Sequence, residues 1–139
     1  MWQRIVSELD LAKLCEGDIH PHVPEERAHL YHSHDNGATE FEFLNLLNAL
    51  VLATKPLRVL ETGTFTGLGT LAIAAAMEVN GEGQLLTVDI DPCIEARALI
   101  ARYGLHPRVA FAQEVATALI KGLAGERFGF AFIDSGGAR

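Results

Sequence analysis

The segment from Arg58 to Val79 constrains the fold most, because it changes hydrophobic period at a glycine-rich turn. Arg58-Val59-Leu60-Glu61 reads as a short strand. Glu61-Thr62-Gly63-Thr64-Phe65-Thr66-Gly67-Leu68-Gly69-Thr70 then forms a turn entering a helix, and Leu68, Leu71, Ala72, Ala75, Ala76 and Val79 make one helical stripe. The same order recurs downstream. Gln84 to Asp89 is a second strand, and Asp91-Pro92 predicts an N-cap and a first-turn proline for a helix that Gly104 closes. Arg108 to Phe111 is a third strand, followed by a helix near Glu114 to Lys121. Phe128 to Ile133 is a fourth strand, apolar enough throughout to predict burial on both faces. Strands alternating with helices predict a doubly wound, Rossmann-like α/β sheet.

At 139 residues the chain suits one domain. We expect residues 1–37 to be an N-terminal helix plus an irregular histidine-rich extension, and residues 38–139 to be the folded domain. Trp2, Ile5, Val6, Leu9 and Ala12 mark the N-terminal helix. Thr39 and Glu42 are spaced as a capping box for a helix over Phe41 to Ala53, whose narrow polar stripe of Glu42, Asn45 and Asn48 predicts that it is mostly buried. His20, His22, His29, His32 and His34 crowd the extension; in an irregular segment such imidazoles are more often solvated than metal-bound.

A formal charge of −7, from 18 acidic and 11 basic residues, argues against nucleic acid as a partner. No apolar run reaches the ~20 residues of a bilayer span, and with no short apolar stretch after the basic start we expect no secretory signal. Cys15 and Cys93 stand alone, which fits a reducing cytoplasm and supports neither a disulfide framework nor a nucleophile.

The glycine turn lets a ligand approach the backbone, and free N–H groups at a helix start favour an anionic group. Asp89 closes the neighbouring strand, where a carboxylate can accept from both hydroxyls of a ribose. Together they imply an adenosine-bearing ligand. One rival is a nicotinamide dinucleotide, since Gly67-Leu68-Gly69-Thr70-Leu71-Ala72 matches G-x-G-x-x-A. That fingerprint should begin where the strand ends, whereas here the first turn glycine is Gly63.

Over roughly residues 37–134 the sequence resembles the class I S-adenosylmethionine-dependent methyltransferases, most closely the O-methyltransferases of the catechol and caffeoyl-CoA type. The resemblance is densest at Val59 to Gly67, at Thr87-Val88-Asp89-Ile90-Asp91-Pro92 and at Phe128 to Asp134. It implies S-adenosylmethionine as cofactor and a small-molecule acceptor. By it Gly63, Thr64, Phe65 and Gly67 line the methionine moiety, Glu61 orders the loop, Asp89 holds the ribose, and Ala116 lies at the adenine. It also implies strand order 3-2-1-4, the cofactor half of a seven-stranded sheet, so that the chain would be a C-terminally truncated member, inactive or dependent on a partner. Homodimers are common in the family.

The departures from the family pattern are local. Leu68-Gly69-Thr70 replaces an aromatic-Ser-Thr run, leaving Thr70 to supply the missing hydroxyl. Glu114-Val115-Ala116 replaces Gly-Asp-Ala, and Ser135-Gly136-Gly137 follows Asp134 where a lysine and further metal ligands are usual. Asp134 falls where metal-dependent members bind a divalent cation such as magnesium, but one carboxylate cannot satisfy about six oxygen ligands. No catalytic residue is assignable. The alternatives are a non-catalytic Rossmann-like module that assembles through the fourth strand, and an NAD-dependent oxidoreductase.

Overall fold

A computed structural model describes residues 1–9, 39 and 41–134. In chain order these form α1 (Trp2–Glu8), α2 (Phe41–Thr54), β1 (Arg58–Thr62), α3 (Leu68–Asn80), β2 (Gln84–Asp89), α4 (Ile94–Arg102), β3 (Val109–Gln113), α5 (Ala116–Gly122) and β4 (Phe130–Ile133). The four strands are parallel in the order β3-β2-β1-β4. This is the expected Rossmann-like arrangement. The histidine cluster, Cys15 and the expected boundary at residues 37 and 38 lie outside the described residues.

Register explains the core. Val59 aligns with Leu85 and Phe130, and Glu61 aligns with Thr87 and Phe132, so these residues share the face on which α2, α3 and α4 pack. α3 lies against it with every residue from Leu68 to Met77 buried, which its run of alanines permits by keeping helix and sheet close. Trp2 and Ile5 of α1 close one end of the core, and the Trp2 indole N–H donates to Asn45 Oδ1 at 2.8 Å.

Three expectations about elements change. α2 is one-faced: Leu44, Leu47, Asn48 and Val51 are buried, while Phe43, Leu46 and Leu50 are exposed. Its apolar surplus therefore forms a second stripe that no described residue covers, and buried Asn48 is satisfied by donating to the Ala72 carbonyl at 2.8 Å. β4 is covered on one face, with Phe130 and Phe132 half-buried and Ala131 and Ile133 exposed. α4 starts at Ile94 rather than at Asp91-Pro92, because the Asp89 carboxylate takes the Asp91 N–H at 3.1 Å and holds this stretch as a turn. Cys93, at φ +47°, is the actual N-cap. The other end is as expected: Gly104, at φ +68°, donates to the Ala101 carbonyl and Leu105 to that of Ile100, a Schellman stop.

Candidate functional site

In a parallel sheet every strand ends on the same edge, and ligands of such folds sit in the crevice beyond it, where the strand order reverses. Here that point lies between β1 and β4. The Gly63 to Gly67 turn follows β1, Asp89 ends β2, Glu114 to Ala116 follow β3, and Asp134 follows β4.

The turn needs its glycines. Gly63 (φ +84°) donates to the Val88 carbonyl at 2.9 Å, and Gly67 (φ +86°) donates to the Thr64 carbonyl at 2.8 Å. A Cβ on Gly67 would lie 2.6 Å from Ala96 Cβ and 2.8 Å from its Cα, so this glycine also sets how closely α4 approaches. Gly67 is the N-cap of α3 with no side-chain capping bond, which leaves the first-turn N–H groups for an anionic ligand. Gly69 sits one residue inside the helix. The G-x-G-x-x-A run is therefore not at the strand end, where a dinucleotide fingerprint belongs.

Asp89 ties turn and strand together. Its Oδ2 accepts the Phe65 N–H at 2.9 Å and its Oδ1 the Asp91 N–H at 3.1 Å. The Cys93 thiol also bonds this carboxylate, and of its roughly four acceptor sites the remainder faces the crevice, where a ribose hydroxyl can donate. Phe65 is held at φ +46°, a strained setting for a residue with a side chain, and its ring is exposed at the rim. Ile90 and Val115, 66% and 55% exposed, follow β2 and β3 as an apolar border beside Asp89, and Ala116 begins α5 next to Val115. Spacing does not single out Ile90 or Val115. The readable signal is that each is a large apolar residue within two positions of a strand end.

Glu61 is 1% exposed beneath the turn. Burial pushes its carboxyl up to about 7, against the lowering effect of hydrogen bonds from Thr70 and Thr87, and Asp134 and Asp89 push it further in the same direction. Thr70, expected to offer its hydroxyl to the cofactor, is fully buried and donates to Glu61 Oε2 at 2.6 Å. A Cβ on Gly69 would lie 2.6 Å from Glu61 Oε1 and 3.2 Å from the Phe132 ring, which accounts for glycine where the resemblance expects serine. Thr64 is buried, with its hydroxyl 2.6 Å from that of Thr87.

Asp134 is exposed; its N–H donates to the Thr62 carbonyl at 3.1 Å and its Oδ2 accepts the Thr39 hydroxyl at 3.3 Å. Among the described residues no three His, Cys, Asp or Glu side chains are grouped to hold a metal ion. Burial, then the nearby Asp89, pushes the Cys93 thiol up to about 11, so it stays protonated. No helix of the described residues is long and apolar enough to cross a membrane.

Three solved structures share this architecture. They are a Podospora anserina methyltransferase, PaMTH1, with bound SAH (20% identity, TM-score 0.66, 96% of this chain and 57% of that one); the Streptomyces achromogenes O-methyltransferase TomG, with SAM (21%, 0.68, 90% and 52%); and a Bacillus cereus O-methyltransferase with SAH (22%, 0.59, 96% and 53%). The chain spans little more than half their length, and at these identities the likeness is one of fold. Among curated protein sequences none matches. The family model described as a methyltransferase domain matches residues 60–139, more than half of the sequence and all of the site just described. On that match the chain belongs to the methyltransferase-domain family.

Proposed function

We propose that this chain binds S-adenosylmethionine and serves methyl transfer to an oxygen of a small-molecule acceptor. The observation that carries the reading is the pairing of the uncapped glycine turn with Asp89, which is tethered to that turn through the Phe65 N–H at 2.9 Å. Gly63, Thr64, Phe65 and Gly67 would hold the methionine portion, with its carboxylate toward the first turn of α3. Asp89 would accept from the ribose hydroxyls, and Ile90, Val115 and Ala116 would border the adenine. Glu61 and Thr70 hold the turn from below and act through it. Bound there, the cofactor supplies an activated methyl group, and the work of the residues named is positioning.

The solved relatives named above, with SAM or SAH bound, support the cofactor. That TomG and the Bacillus cereus enzyme are O-methyltransferases supports oxygen as the acceptor atom. Among the described residues nothing completes a divalent-metal site around Asp134, which brings one carboxylate with a threonine hydroxyl as partner, and no step is assigned to a metal. A cytoplasmic setting is part of the reading, on the sparse cysteines. So is a homodimer, supported by the exposed Phe43, Leu46 and Leu50 of α2, and sedimentation showing only monomer would remove it.

The test is Asp89→Ala. It should weaken S-adenosylhomocysteine binding by about 1–3 kcal/mol, the range for hydrogen bonds to a charged group. Unchanged affinity by calorimetry would reject the ribose assignment.

A further inference from the structure

We infer that Thr87, in β2, is a positioning residue for the glycine turn, coupling the buried Glu61 carboxylate to Thr64 through a relay of hydroxyls. Glu61 and Thr87 are register partners across β1 and β2, so their side chains leave the sheet on the same face. Thr70 donates to Glu61 Oε2 at 2.6 Å, Thr87 bonds to the same carboxyl group, and the Thr64 and Thr87 hydroxyls are 2.6 Å apart. All four side chains are buried.

The chemistry of the groups gives the relay a direction. In its ionised form Glu61 only accepts, so above its midpoint Thr70 and Thr87 both donate into it. Thr87 has one proton and has spent it, so its oxygen accepts from Thr64. The order is Thr64 to Thr87 to Glu61, with Thr70 entering from α3. Thr64 is thereby fastened beneath the turn at the place where its carbonyl receives the Gly67 N–H and where the next residue, Phe65, donates to Asp89. The charged groups that bear on Glu61 are Asp134 beyond β4 and Asp89 at the end of β2; from α3 it meets Thr70. The hydroxyls are thus what favours its ionised form.

The test uses the whole chain with Thr87→Val, which keeps the shape and removes the hydroxyl, and Thr87→Ser, which restores it. Three quantities are read: the midpoint of Glu61 by carboxyl-carbon NMR, amide exchange at Phe65 and Gly67, and affinity for S-adenosylhomocysteine. Thr87→Val should raise the midpoint above that of the unmodified chain, because a bond to the ionised form is lost, and should speed exchange at both amides. It should also weaken binding about three- to tenfold, as for one lost hydrogen bond. Thr87→Ser should return all three toward the original values. A midpoint and exchange rates unchanged in Thr87→Val would overturn the inference.

Only the binding readout rests on the cofactor reading proposed above. If the unmodified chain fails to bind S-adenosylhomocysteine, that reading falls, and midpoint and exchange still decide the relay. Should Thr87→Val not fold, Thr64→Val cuts the relay at its outer end. Faster exchange at Gly67 would then support the relay, and unchanged exchange would overturn it.

Discussion

Glu61 shows how one buried group ties stability to function. Its carboxyl is raised from 4.5 to about 7 on folding, first by burial, so between those pH values the folded chain holds a proton that the unfolded chain has released. The associated stability is present in full below about pH 4.5 and is lost as pH rises through about 7, a difference of about 3 kcal/mol. Glu61→Gln removes the titration. Urea denaturation of the two proteins at pH 5 and pH 8 should show the unmodified chain losing stability between them and the variant nearly flat; parallel changes would contradict the assignment. Glu61, Gly63, Gly67 and Asp89 were legible in the sequence because each residue type has few reasons to stand at its position. The inward turn of Thr70 was not legible, since it depends on a carboxylate brought next to it by a helix folding back over the strand.

Elements were legible wherever the hydrophobic period switched, and strand order followed from the resemblance. What the sequence hid was coverage. The apolar runs of α2 and β4 say that those segments can be buried, while the second layer that would bury them is a property of neighbours, and both carry an uncovered face among the described residues. The start of α4 was hidden for another reason, because Asp89 captures the N–H that a helix beginning at Asp91-Pro92 would have organised differently. The sharpest test at this scale is the contact of α3 with α4. Gly67→Ala places a Cβ 2.6 Å from Ala96 Cβ and 2.8 Å from its Cα at φ +86°, so strain and overlap add. We expect a loss of about 2–4 kcal/mol in chemical denaturation. A loss below about 1 kcal/mol would mean that α4 stands further from the turn than the structure has it.

Across the whole molecule, the two sheet edges differ in charge. Among the described residues Lys55, Arg58, Arg108 and Arg127 stand where strands begin, with Glu78, Glu82 and Glu126 beside them, while the acids Asp89, Asp91, Glu114 and Asp134 stand where strands end. Two of these bases are paired: Arg58 with Glu126, stacking also over Phe128, and Arg108 with Glu78 at 2.7 Å. The exposed Phe43 of α2 stands against Phe132 of β4, with ring centroids 5.7 Å apart, next to the strand at the switch point. The measurement that tests the central claim most directly is isothermal titration of the chain with S-adenosylhomocysteine, with NAD as the parallel control. Saturable binding of S-adenosylhomocysteine with no heat from NAD is the predicted result; silence toward S-adenosylhomocysteine, or equal binding of NAD, would contradict the account.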